Sequence, residues 1–140
     1  MKKFLLLILF SSQCYSLPVS IELNPSAITS VYDGDTFRAN IRQLDTYKSI
    51  RVRVRHIDTP EIKGKCSYEK QKAIEAREFA KYLLLNSNTI TLTDLGYDRY
   101  KRLLATITLD HKYSFDQTMI YKNLARPYNG GKRLSWCQNY

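Results

Sequence analysis

Apolar and polar residues alternate most cleanly over 50–55, where Ile50, Val52 and Val54 are interleaved with Arg51, Arg53 and Arg55. A period of two puts the aliphatic side chains on one face of a strand and the guanidinium groups on the other. Two more strands are expected before it. Ala27 to Tyr32 is the first, and Phe37, Ala39 and Ile41, alternating with polar neighbours, mark the second. Between them Asp33-Gly34-Asp35-Thr36 contains an Asp-Gly pair, a strong hairpin signal. A turn near Leu44 to Lys48 leads to the strand of arginines, so the three form an antiparallel meander. Further strands are expected at Thr89 to Leu95 and Leu103 to Leu109, separated by a charged loop from Gly96 to Arg102.

The period changes to 3.6 after Cys66. Ser67 can cap a helix running to about Asn86, with Ala73, Ala76, Phe79, Ala80 and Leu83 along one side. That stripe reads as ordinary core. Ser114-Phe115-Asp116-Gln117 is a capping box opening a short helix that Asn123 can end in the left-handed conformation. Leu17 to Ser26, with Pro18 and Pro25, reads as a polar lead-in with no packed role. Five short strands with one helix after the third and another after the fifth predict a β-rich α+β domain, a five-stranded Greek-key barrel of the OB kind.

With 140 residues and 16.4 kDa the chain has room for one core. Its first residues read differently from the rest. Met1-Lys2-Lys3 is a positive segment, Phe4 to Phe10 an apolar run, and Ser11 to Ser16 small and polar around Cys14 and Tyr15. This is the pattern of a secretory signal cleaved near Ser16, with an uncleaved anchor as the alternative. The run is far short of the roughly 20 residues needed to span a bilayer. The expected organisation is therefore a signal over 1–16, the lead-in over 17–26 and one domain over 27–140, in a secreted or periplasmic protein. Loss of Cys14 leaves Cys66 and Cys137, and an even cysteine count in an exported chain suggests a disulfide closing 137 − 66 = 71 residues.

The formal charge of +9 falls to 9 − 2 = +7 when Lys2 and Lys3 are removed. Such an excess suits a polyanion such as nucleic acid. Charge says nothing of catalysis, but the turns do. Pro60 ends the arginine strand and leaves Asp58 and Glu61 near its exposed end. Asp35, with Asp33 as a possible supporting carboxylate, lies at the end of the neighbouring strand. Asp35, Asp58 and the Thr59 carbonyl make a hard-oxygen set suited to Ca²⁺ or Mg²⁺ and not to Zn²⁺. Arg53 and Arg102, each beside a carboxylate turn, offer planar forks for bidentate phosphate contact. Phosphodiester hydrolysis needs these parts: a cation, donors where charge develops, and a group that handles water. His56 reads as a packed residue on the apolar side of a strand, and His111 as solvated.

Taken in order, Asp33-Gly34-Asp35-Thr36, Arg53 with Asp58-Thr59-Pro60-Glu61, Asp98-Arg99-Tyr100-Lys101-Arg102 and Leu124-Ala125-Arg126-Pro127-Tyr128 resemble the motif set of the staphylococcal-nuclease-like thermonucleases. The resemblance covers about Ala27 to Cys137. It implies an OB-fold barrel with three helices and a Ca²⁺-dependent nuclease that cuts DNA and RNA on the 5′ side of the phosphate, leaving 3′-phosphates. It further implies that Asp35, Asp58 and the Thr59 carbonyl hold one Ca²⁺ ion. Glu61 then acts on the attacking water as general base or orienting group, Arg53 and Arg102 grip the phosphate, and Tyr100 and Tyr128 line the nucleotide pocket. Where the family commonly has glycine before the second arginine, this chain has Lys101. The Gly130-Gly131-Lys132-Arg133 and Trp136-Cys137 ending is similar to an exported bacterial branch, in which a cysteine near Cys66 also occurs. A monomer without a stable protein partner is expected. The competing reading is an inactive nucleic-acid-binding module of the same fold. Such a module is free to lose Asp35, Arg53, Asp58, Glu61 or Arg102, and all five are present.

Overall fold

The computed structural model describes residues 16–44 and 48–137. The signal segment expected over 1–16 falls outside them except for Ser16, as does most of the turn expected near Leu44 to Lys48.

The arginine strand lies inside a mixed sheet. Its meander partners are β2 (Ile28–Val31) and β3 (Thr36–Ala39), and the strand itself is β4 (Ile50–Val54). β3 pairs antiparallel with both neighbours. The alternation does what its period requires, burying Val52 and Val54 while Arg51 stays exposed. On its other side β4 runs parallel to β7 (Leu103–Leu109), which pairs with β6 (Ile90–Tyr97). Every second residue of β7, from Leu103 to Leu109, is buried. The short β8 (Tyr113–Ser114) adds to β7.

β1 (Ser20–Leu23) pairs antiparallel with β6 and completes the order β1-β6-β7-β4-β3-β2. This corrects the polar lead-in: Ile21 is 1% and Leu23 5% exposed, so residues 20–23 are part of the packed fold. The apolar alternation there is only two residues long and lies between Pro18 and Pro25, too little to stand out as a period. The sheet curls around one core in which Phe37, Val52, Leu92, Leu103 and Ile107 are almost fully buried. Helix α1 (Ser67–Asn86) turns Ala73, Ala76, Ala80 and Leu84 inward, and α2 (Phe115–Tyr121) adds Phe115 and Met119. Small alanines let α1 approach the sheet closely. Ser114 caps α2 by accepting from the Gln117 amide, and Asn123 adopts φ 56 just after it.

The result is a β-rich α+β fold of the OB kind. It differs in detail from five strands and three helices. Among the described residues there are nine strands, three of them only two residues long, two α-helices, and 3-10 turns at Pro25–Ala27 and Arg42–Leu44. β6 also runs two residues further than expected, through a register shift between Thr93 and Gly96, so Gly96 belongs to the strand and the charged loop shrinks to 98–102. The N-cap of α1 is Cys66 instead of Ser67.

Two pairings gather the acidic and basic turns at one end of the sheet. The parallel β4–β7 register sets Arg53 opposite Leu104, which brings the 98–102 turn beside the arginine strand. β5 (Ile57–Asp58) pairs with β9 (Arg126–Pro127), which carries the tail back across the end of β4.

Candidate active site

The Asp-Gly hairpin and the Asp-Thr-Pro-Glu turn meet back to back. Gly34 makes this possible, because a Cβ there would stand 2.8 Å from Thr59 Cγ2 and 3.0 Å from Ala76 Cβ. With the turns in contact, Asp35 Oδ2 accepts from the Thr59 amide at 3.1 Å and the Thr59 hydroxyl at 3.0 Å. Asp35 Oδ1 accepts from Thr36 Oγ1 at 3.0 Å. Arg53 lies 3.3 Å from Asp35 Oδ2 through Nη2, which also donates to the Ile57 carbonyl at 2.9 Å, while Nη1 donates to the Val54 carbonyl. The guanidinium is thus locked to the corner between β4 and β5.

That corner is made by His56, at φ 71. His56 is therefore exposed on a turn, with its ring near Asn129 and Thr106, and not packed on the apolar side of a strand. The dipeptide periodicity of 50–55 carries no sign that the chain turns out of the strand there. His111 is exposed, 3.5 Å from Glu22.

Arg102 sits in a turn organised by one carboxylate. Asp98 Oδ1 accepts from the amides of Tyr100 at 2.8 Å and Arg102 at 3.0 Å, and Oδ2 accepts from Arg102 Nε at 2.7 Å. Partial burial opposes ionisation of Asp98, but the hydrogen bonds and charge of Arg102 outweigh it and hold the pKa below 3.8. The Arg102 guanidinium also lies 5.5 Å from the centre of the Tyr100 ring. Lys101 occupies the position where the resembling family has glycine. It adopts φ 59, the left-handed region that glycine enters without cost. Arg51, to which the sequence assigns no role, donates to the Tyr100 carbonyl at 2.8 Å and ties this turn to β4.

Asp33, Asp35, Arg53, Glu61 and Arg102 line a single cleft of about 1160 Å³, with Tyr100 and Tyr128 on its walls. Tyr128 is placed by its amide, which donates to the His56 carbonyl at 2.8 Å, and by its hydroxyl, which donates to the Gly131 carbonyl at 2.7 Å. Asp58 and Thr59, 2% and 1% exposed, are not among the lining residues and lie behind them. Asp33 is buried. Desolvation, then the charge of Asp35, push its pKa up to about 8, even though its carboxylate accepts from the Asp35 amide.

The tail supplies residues to which the sequence assigns no role in the site. Arg133 bonds Asp58, Glu61 and the Thr59 carbonyl, the last at 3.2 Å. Burial would lower its pKa, but the Glu61 hydrogen bond and the Asp58 charge raise it further above the ordinary arginine value. Trp136 Nε1 donates to the other Asp58 oxygen at 3.0 Å. Cys66 and Cys137 are joined, with Cα atoms 6.0 Å apart. Glu69, which no sequence motif marks, is 6% exposed and accepts from the amides of Glu61 at 3.3 Å and Lys65 at 2.9 Å, so it holds the loop that carries Glu61. A Lys-Arg pair after two glycines hints at Arg133, but its partners lie more than 70 positions away in sequence.

The donors fit a hard divalent cation. Asp35 and Asp58 offer carboxylate oxygens and Thr59 a carbonyl, all hard donors, and the Thr59 amide and hydroxyl tie the two turns together through Asp35. The Arg133 guanidinium bridges the Asp58 carboxylate and the Thr59 carbonyl together with Glu61, while Asp35 faces Arg53. The protonation favoured at Asp33 marks a surplus of buried acid.

A family model described as a staphylococcal nuclease homologue matches residues 51–135, more than half of the chain. The chain belongs to the staphylococcal nuclease family. It is 30% identical over 131 residues to a protein of Escherichia coli O157:H7 named an uncharacterized endonuclease, a match covering 91% of this chain and 74% of the relative. A protein of the same name in Escherichia coli matches to the same extent. The matched span of the nuclease family model includes Arg53, the Asp-Thr-Pro-Glu turn, the 98–102 turn and Arg133. It starts after the Asp33-Gly34-Asp35 hairpin, which the fold brings to the same cleft. No helix among the described residues is long and apolar enough to cross a membrane.

Proposed function

We propose that this protein is an exported nuclease that hydrolyses phosphodiester bonds of DNA and RNA with a divalent cation, Ca²⁺ by the character of its ligands, and leaves 3′-phosphate ends. One observation carries the reading: two guanidinium groups fixed by backbone and carboxylate bonds, Arg53 and Arg102, share a cleft with Asp35 and Glu61. Fixed donors of this kind stabilise charge that develops on a phosphate without reorganising.

In this reading Arg53 and Arg102 take the non-bridging oxygens of the scissile phosphate from two sides. Asp35, Asp58 and the Thr59 carbonyl would hold the cation, which would supply positive charge against that of the phosphate. Glu61 is 42% exposed at its side chain, enough to meet a water, and its carboxylate orients that water or takes its proton. Water oxygen bonds to phosphorus and the P–O5′ bond breaks, the departing O5′ taking a proton from solvent, giving a 3′-phosphate and a 5′-hydroxyl. Tyr100, 54% exposed, and Tyr128 offer ring faces to a base or sugar. Export and a basic charge suit a polyanionic substrate met outside the cytoplasm.

The test is incubation of the purified protein with single- and double-stranded DNA and RNA, in Ca²⁺, in Mg²⁺ or in chelator, with the product ends identified. Cleavage restored by Ca²⁺ after chelation, with 3′-phosphate ends, is the expected result. Cleavage that persists through exhaustive chelation would refute the cation, and 5′-phosphate ends would refute the bond assignment.

A further inference from the structure

Asp58 is nearly inaccessible, and a single stretch of tail takes both of its carboxylate oxygens. Arg133 Nε bonds Oδ1 and Trp136 Nε1 donates to Oδ2 at 3.0 Å. The same guanidinium reaches the Thr59 carbonyl at 3.2 Å and bonds Glu61. The stretch is itself anchored. Cys137 is bonded to Cys66, the N-cap of α1, and the Arg126 guanidinium lies 3.7 Å over the Trp136 ring while donating to the Ser135 carbonyl at 3.0 Å. Arg133 therefore does not reach the site as a loose surface side chain.

We propose that Arg133 is a built-in competitor of the divalent cation: it occupies the Asp58 and Thr59 oxygens, and a metal ion binds them only when this guanidinium has withdrawn. The proposal rests on the reading that these oxygens hold a cation. A divalent ion draws its oxygen ligands to about 2.0–2.6 Å. A guanidinium bridging Asp58, the Thr59 carbonyl and Glu61 lies across the space those oxygens share, and although Arg133 is itself partly exposed, a second cation placed beside it on the buried Asp58 carboxylate is repelled. Both oxygens of Asp58 are committed, so the whole tail contact, Trp136 included, has to loosen before ligation.

The measurable consequence is a weakened apparent affinity. A site competent in only a tenth of molecules binds its ligand about tenfold more weakly than the competent form does. Removing the competitor should recover that factor, and removing a neighbouring positive charge that does not touch the site should not. Lys132 supplies the control, being exposed and adjacent to Arg133.

Calcium chloride is titrated calorimetrically into the disulfide-bonded protein and its Arg133→Gln, Arg133→Lys, Lys132→Gln and Asp58→Asn variants, each verified as folded by its thermal melt. Arg133→Gln is expected to bind Ca²⁺ about tenfold or more tightly than the unmodified protein. Lys132→Gln should stay within about twofold, as expected for a screened surface charge. Arg133→Lys keeps the charge but cannot bridge three acceptors, and should fall between. Asp58→Asn should abolish binding. Equal or weaker binding by Arg133→Gln, with Asp58→Asn still inactive in binding, overturns the competition while leaving the cation site in place. An absence of binding by every variant, Arg133→Gln included, overturns both.

Discussion

Arg53 and Arg102 present the same functional group to the cleft but are built in differently, and the difference decides which is the cleaner probe. Arg53 donates to two backbone carbonyls and faces Asp35, so its removal unlocks the corner between β4 and β5 as well as the phosphate contact. Arg102 is held through Nε by Asp98, within its own turn. Arg102→Ala should lower turnover by on the order of 10² while the unfolding midpoint moves little; steady-state kinetics at saturating Ca²⁺ set beside a urea titration would check this, and near-unchanged turnover would remove Arg102 from the reaction. Asp98 brings a pH dependence. Because its pKa in the folded protein lies below 3.8, the native state binds fewer protons than the unfolded chain in that range. Its contribution is fully present above about pH 4 and is lost as the pH falls through the folded value. Asp98→Asn is accordingly expected to cost about 1–2 kcal/mol at pH 7, a difference that shrinks in denaturant titrations as the pH is taken below about 4.

Among the elements, the two acidic turns depend on each other's shape. Gly34 is required by close approach, since any side chain there meets Thr59 and the Ala76 methyl of α1. Gly34→Ala should destabilise the protein by about 1–3 kcal/mol, the usual range for overpacking, and weaken activity beyond that by displacing Thr59 from Asp35. Urea unfolding with an activity assay well below the midpoint separates the two losses. Much of this architecture was legible in the chain. The period-two stretches became β2, β3, β4, β6 and β7, and the Asp-Gly and Asp-Thr-Pro-Glu turns lie together because meander strands end side by side. Other features were not legible for physical reasons. β1 has only Ile21 and Leu23 to mark it, and its partner is about 70 residues distant. The corner at His56 rests on a left-handed histidine, which no local pattern of hydrophobicity records. Arg133 and Trp136 meet Asp58 only through the folded course of the tail, so their charge was visible and their target was not.

For the molecule as a whole, the Cys66–Cys137 link closes a loop of 71 residues that contains α1, β6, β7 and α2. Chain entropy for a loop of that length amounts to about 4 kcal/mol. Replacing both cysteines by serine should lower stability by about 2–4 kcal/mol, read as a fall in the urea midpoint, with a fall under about 1 kcal/mol showing that the link constrains little. The sheet has a further consequence at its other end. β7 begins at Leu103, next to Arg102 in the cleft, and finishes at Leu109, before the exposed turn at His111 and Lys112. Six residue steps at about 3.3 Å place that turn roughly 20 Å from the reacting groups. The protein thus has a handle. A single cysteine introduced at position 112 would let it be fixed to a bead or carry a fluorophore, with the working end left facing solution.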